Sequence, residues 1–209
     1  MNTLPTVPGP IQFHFDFISP YAYLASRLIE DIAVRHGRVV DWHPMLLGIS
    51  VVKVMGIKPL METPLKGEYL RRDVPRRARK LGVPLGRSMD GPIPTPLPAA
   101  RAFCWLKQQY PHLQSATAHA IYHAWWARGV SLSTPEELAA RVGFPPEVDV
   151  EALLVALKGP EPARLLRDSV QASLDAGVFG APTIIVDGEP FWGSDRLDDV
   201  EAWLSTGGW

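Results

Sequence analysis

Ile11, Phe13, Phe15 and Phe17 alternate with Gln12, His14 and Asp16 near the start of the chain. A period of two predicts a strand over 11–17. At Ser19 the period lengthens: Tyr21, Leu24, Leu28, Ile29 and Ile32 fall on one helical face through about residue 36. Ser19 suits the N-cap of that helix and Pro20 its first residue, where a missing N–H costs nothing. "RVVDWH" (38–43) reads as a second strand. A β-α-β opening favours parallel pairing through a right-handed crossover.

From residue 45 to about 176 the apolar spacing is almost wholly helical, in segments such as "GEYLRRDVPRRARKLG", "LPAARAFCWLKQQY" and "EPARLLRDSVQASLDAG" separated by Pro or Gly. Strand character returns at "TIIVDG" (183–188) and "EPFWG" (189–193), with Asp187-Gly188 as the hairpin signal. A last helix is expected near "SDRLDDVEAWL", with Ser194 or Asp195 as N-cap and Asp198 and Asp199 in its first turn. Strands at both ends and helices between predict an α/β protein. Its discontinuous domain takes residues 8–44 and 177–209, and residues 45–176 form an inserted helical domain.

Composition narrows the function classes. The 209 residues carry a formal net charge of −1, which gives no general attraction to nucleic acid or an acidic membrane. One cysteine, Cys104, permits neither an intramolecular disulfide nor a thiolate-rich metal site. The opening "MNTLPTVPGP" lacks a basic start followed by an apolar run, and no stretch has the roughly 18 unbroken apolar residues of a membrane span. A cytoplasmic protein is expected. The 21 prolines mostly punctuate helices, as in "KPLMETP", "GPIPTPLP" and "GPEP".

Ser19 is the first candidate for chemistry. A helix cap accounts for it alone, but a hydroxyl at a strand-to-helix switch also faces the crevice where α/β proteins bind ligands, at the positive end of a helix dipole. No GxSxG elbow or Ser-His-Asp set accompanies it, so the hydroxyl suits donation to another molecule's anion better than attack. His119 and His123 lie one helical turn apart, a spacing that can bind zinc. Ala120 stands where an HExxH motif carries glutamate, so packing beside Tyr122, Trp125 and Trp126 is the expected role and no metal is assigned. "RRDVPRRARK" (71–80) holds six basic residues, read as a solvated helix face or, second, as the rim of an anion-binding crevice. Cys104, within an apolar helical stretch, reads as a core residue.

A strand ending in Asp-Phe-x-Ser-Pro-Tyr, then Gly-Val-x-Gly-x-Pro-Thr, a hairpin and Trp-Gly-x-Asp-Arg-Leu together resemble the 2-hydroxychromene-2-carboxylate isomerases and kappa-class glutathione transferases. The similarity continues through "LLGISVVKVMG", "PLKGEYLRRD" and the "WWARG" helix end. It implies the DsbA-like branch of the thioredoxin fold with a large helical insertion, glutathione as cofactor, an aromatic carboxylate substrate and a homodimer. By the match, Ser19 would stabilise the glutathione thiolate. Ala181, before a cis-Pro182, would offer backbone hydrogen bonds to the cysteinyl part. Ser194 and Asp195 would hold the γ-glutamyl end, Lys66 would lie near the glycyl carboxylate and Lys53 on the substrate side. Many members have Asn where this chain has Ile57, which cannot donate a side-chain hydrogen bond. The implied activity is glutathione-dependent isomerisation of a 2-hydroxychromene-2-carboxylate type of compound. A transferase that keeps the conjugate and a binding protein without turnover stand as alternatives.

Overall fold

The computed structural model describes residues 9–91 and 93–209; Pro8, the residues before it and Pro92 within "GPIPTPLP" lie outside the described residues. Strand β1 (Ile11–Phe15) lies inside a sheet of order β2-β1-β3-β4. It pairs in parallel with β2 (Val40–Pro44), Phe13 opposite Trp42, and antiparallel with β3 (Thr183–Val186), Phe13 opposite Ile184. β4 (Glu189–Trp192) returns beside β3 through Asp187 and Gly188. Both turn residues have positive φ, 52° and 93°, which a tight hairpin of this hand requires. The buried Arg38 fixes this turn to the start of β2: its Nη2 lies 2.7 Å from Asp187 Oδ1.

The helix expected over 20–36 is two helices, α1 (Pro20–Ser26) and α2 (Ile29–Arg35). The Ser26 hydroxyl bonds back to the Tyr23 carbonyl at 2.7 Å, and Arg27 and Leu28 donate to carbonyls only three residues behind them. Such bonds tighten the turn and compete with helix continuation.

Between the strands run α3 (Lys66–Leu81), α4 (Leu97–Gln109), α5 (Gln114–Tyr122), α6 (Pro135–Arg141), α7 (Val150–Leu157) and α8 (Glu161–Asp175). π-helical turns occupy Gly48–Val54 and His123–Ala127. One cluster of buried side chains runs through strands and inserted helices alike. Its centre is Phe15, whose ring meets Phe17, Phe103 and Trp42 edge-on at 5.1–5.4 Å and Tyr122 at 5.8 Å.

The last helix, α9 (Leu197–Thr206), starts later than expected: Arg196 is the N-cap, and Ser194 and Asp195 occupy the turn before it. The Gly193 N–H donates to the Pro182 carbonyl and Arg196 N–H to the Gly193 carbonyl, so the chain makes one turn against β3 before the helix begins. Asp198 and Asp199 do sit in its first turn. Among the described residues no helix is long and apolar enough to cross a membrane.

The period-two pattern of β1 does not divide core from solvent. His14 and Asp16, its polar members, are 2% and 1% exposed. His14 stacks on His43 at 4.8 Å and shares a hydrogen bond with Ser173 of α8. Burial, with His43 adding to it, pushes the imidazole down to about 3 from 6.5. Between those values the unfolded chain takes up a proton that the fold refuses, so stability falls as pH drops from 6.5. Asp16, raised by burial to about 6, works the other way between 3.8 and 6, because there the fold keeps a proton that the unfolded chain releases. Replacing His14 by Asn is expected to flatten the acid limb, changing the pH 7-to-4.5 stability difference by about 2–3 kcal/mol. Urea midpoints measured at both pH values for the two proteins check this; parallel losses would contradict it.

Candidate functional site

Ser19 ends the loop after β1 and caps α1, accepting from the Ala22 N–H at 3.1 Å. The same hydroxyl donates to the Ala181 carbonyl at 2.9 Å, across 162 residues of sequence. Ala181–Pro182 is a cis peptide, and it turns the chain into β3 with the Ala181 carbonyl facing Ser19. Ser19 is therefore both a cap and a side-chain contact between the two ends of the fold.

The Gly193–Pro182 bond carries the site onward, because it sets Ser194 and Asp195 beside the proline. Arg77, on α3, reaches the Ser194 hydroxyl with Nη1 at 3.5 Å, and its guanidinium lies 5.8 Å from the centre of the Tyr21 ring. Beneath it Asp73 is 4% exposed and accepts from Tyr21 and Tyr69 hydroxyls and from Arg76 and Arg77. Burial alone would raise this carboxyl; the bonds from Arg76 and Tyr21 overcome that and hold it below its usual range. Asp73 takes up much of the positive charge and fixes Arg77 toward Ser194. The basic run is thus only partly a solvated face. Arg71 and Arg72 pair with Glu68 on the surface, whereas Arg77 belongs to the crevice.

Asp195 is exposed and pairs with Arg196 at 3.2 Å. Lys66 is exposed at the first residue of α3, and Lys53 is exposed in the last turn of the first π-helical segment, three residues before the exposed Gly56-Ile57 pair. The structure brings Ser19, Ala181, Pro182, Ser194 and Arg77 into one connected group. No hydrogen bond or ion pair links Lys53 or Lys66 to that group among the described residues.

Arg77, Tyr21 and Asp16 were not individually foreseen. The Asp16 carboxylate accepts from the Ile18 N–H at 3.1 Å and the Leu47 N–H at 2.8 Å, which shapes the loop into Ser19 and ties it to the π-helical segment beyond β2. Its place at the end of an apolar strand is the one sequence hint of this, since an acid buried there must find donors.

A second wall of the crevice is mainly apolar, with Arg87 and Ser88 as its polar members. Ile18, Pro20, Met61, Met89, Ile93 and Trp126 line a gap of about 20 Å³ beside Ser19, roughly one water's room. Segment 83–91 closes it by docking on the second π-helical turn: Gly86 and Arg87 N–H groups both donate to the Trp126 carbonyl. The approach demands glycine, because a Cβ at Gly86 would run into the Ala127 carbonyl.

Cys104 takes no part. It is buried in α4, and burial pushes its thiol up to about 12, so no thiolate forms near neutrality. His119 packs edge-on against Trp42 and pairs with Glu30 at 3.0 Å, while His123 is exposed where the helix widens into its π turn. Among the described residues no three His, Cys, Asp or Glu side chains converge as a metal site.

The family model described as a DSBA-like thioredoxin domain matches residues 10–205. A 2-hydroxychromene-2-carboxylate isomerase of Sphingobium xenophagum is 32% identical over 199 residues, covering 93% of this chain and 97% of the relative. A kappa 1 glutathione S-transferase of Caenorhabditis elegans is 24% identical over 93% of this chain and 89% of its own. A solved 2-hydroxychromene-2-carboxylate isomerase superposes with a TM-score of 0.77 at 23% identity, over 93% of this chain and 94% of that one. With a helix-rich thioredoxin-like sheet, a cis-proline opposite the first helix and these relatives over nearly its full length, the chain belongs to the DsbA-like thioredoxin family, among its 2-hydroxychromene-2-carboxylate isomerase and kappa glutathione transferase members.

Proposed function

We propose that the protein is a glutathione-dependent cis–trans isomerase acting on 2-hydroxychromene-2-carboxylate or a related unsaturated aromatic carboxylate. The observation that carries this reading is the Ser19 hydroxyl, held against the Ala181 carbonyl beside cis-Pro182 in a crevice without a thiol. Glutathione would supply the thiolate nucleophile that the chain lacks.

The residues fit such a tripeptide. Ser19 would donate to the sulfur, exchanging its present acceptor at Ala181 for an anion. The Ala181 carbonyl, released from Ser19, would accept from the cysteinyl amide in the manner of an added strand. Ser194 and Arg77 would take the γ-glutamyl carboxylate and Asp195 the γ-glutamyl amine. Lys66 suits the glycyl carboxylate, and Lys53 the carboxylate of the substrate. The gap beside Ser19 is far smaller than an aromatic ring, so substrate binding would displace the Met89 and Ile93 side chains.

Arg77→Ala and Asp195→Ala are each expected to weaken glutathione binding by about 10- to 150-fold, the equivalent of one charge-assisted hydrogen bond. Calorimetric titration of the folded variants checks this, and unchanged affinity removes the residue from the site. The test of the activity itself mixes protein, glutathione and 2-hydroxychromene-2-carboxylate and follows conversion to the open-chain benzylidenepyruvate isomer. Catalytic glutathione with full product supports the isomerase. Stoichiometric glutathione loss into a stable conjugate would mean a transferase, and glutathione binding without conversion a binding protein.

A further inference from the structure

A second cavity, of about 610 Å³, opens at the other end of α1. Ser19 caps the N-terminus of that helix and Arg27 its C-terminus, about 12 Å apart along the axis at 1.5 Å per residue. The volume falls in the usual range for small-molecule pockets, whereas the gap beside Ser19 does not.

The lining combines apolar and cationic residues. Ala116, Ala120 and Ala124 follow one another at helical spacing along α5 and its π-helical continuation, leaving a flat wall. Phe144, Pro145 and Pro146 add further apolar lining. Arg27, Arg128, His119 and His123 complete the lining, and no Asp or Glu is part of it. Glu30 is engaged by the lining residue His119 through Nε2 at 3.0 Å. A carboxylate there needs a donor, so Nε2 bears the proton and Nδ1 accepts from Arg27 Nη1 at 3.4 Å. That contact joins two lining residues and leaves the Arg27 charge unneutralised. Neither Arg27 nor Arg128 pairs with a carboxylate among the described residues, unlike Arg35, Arg38, Arg71, Arg76 and Arg77.

We infer that this cavity binds an organic monocarboxylate with a flat apolar body, its carboxylate held by Arg27 and Arg128 and its ring system between the alanine wall and Phe144. Guanidinium forks match a carboxylate in two-point contact, and the alanine and Phe144 side chains offer an aromatic body an apolar surface that a bare phosphate could not use. The inference is independent of the activity proposed for the Ser19 crevice.

The probe is 1-naphthoate, titrated calorimetrically into the full chain with and without saturating glutathione, and soaked into crystals. One equivalent should bind with the same affinity in both titrations. Arg27→Gln combined with Arg128→Gln should weaken it about 10- to 150-fold. Ala120→Trp, which fills the cavity without touching a charge, should abolish binding. Both arginines are exposed, and circular dichroism and the thermal midpoint establish that each variant is folded. The neutral 1-naphthalenemethanol and inorganic phosphate should both bind at least about tenfold more weakly than 1-naphthoate. No saturation, displacement by glutathione, an alcohol or phosphate that binds as well as the acid, or insensitivity to either variant would each overturn the assignment.

Discussion

Ser19→Ala is expected to raise the pKa of protein-bound glutathione by about one to two units and to slow isomerisation roughly 10- to 100-fold near neutrality. A donor aimed at sulfur favours the anion over the thiol, and free cysteine titrates near about 8.5. Removing the hydroxyl removes that preference, and part of the rate should return as pH rises and the thiolate forms unaided. Ser19 also caps α1 and donates to Ala181, so the variant should lose about 1–2 kcal/mol of stability as well. The two effects separate cleanly. Thiolate absorbance of bound glutathione against pH reads the chemistry, while urea melting reads the cap. Identical titrations in wild type and variant would reduce Ser19 to a structural residue.

Phe15→Ala should cost about 3–5 kcal/mol, the upper range for a buried aromatic. The ring is fully buried and touches aromatic neighbours from β1, β2, α4 and α5, so no single neighbour can move to fill its place. A chain of this size should melt about 6–20 °C lower. Because β1 also carries the loop to Asp16 and Ser19, glutathione affinity should weaken too. A fall in urea midpoint with unchanged slope checks the first claim. A cost under about 1 kcal/mol would mean the core collapses freely around the gap.

The parts of this fold written in local pattern were legible in the sequence. Alternation through Ile11–Phe15, the Ser19-Pro20 start and the Asp187-Gly188 turn all express backbone preferences of the residues themselves. The break at Ser26–Leu28 was not, because a hydroxyl bonding backward leaves the apolar spacing of 21–32 intact. Nor were the π-helical turns, whose extra residue changes hydrogen bonding without changing composition. The start of α9 moved to Leu197 because a tertiary bond from Gly193 to Pro182 claims the preceding turn. The site behaved similarly. Ser19 and the proline before β3 are marked by position and by resemblance. Arg77 looks like any member of a basic run until Asp73, one turn back on the same helix, and Tyr21 and Ser194, from two distant stretches of chain, fix its direction.

The contact between Ser19 and Ala181 has a further consequence for how the molecule is made. Translation delivers Ser19 long before Ala181, which comes 162 residues later, about 8–32 seconds of synthesis at 5–20 residues per second. β1 and β2 can pair as soon as both have left the ribosome, but the other edge of β1 has to wait for β3. Throughout that interval the nascent chain presents an unpaired strand, rich in phenylalanine, to whatever is nearby. A truncated product lacking the last thirty or so residues would keep that edge permanently, so quality control of this protein amounts to knowing whether its final hairpin has arrived.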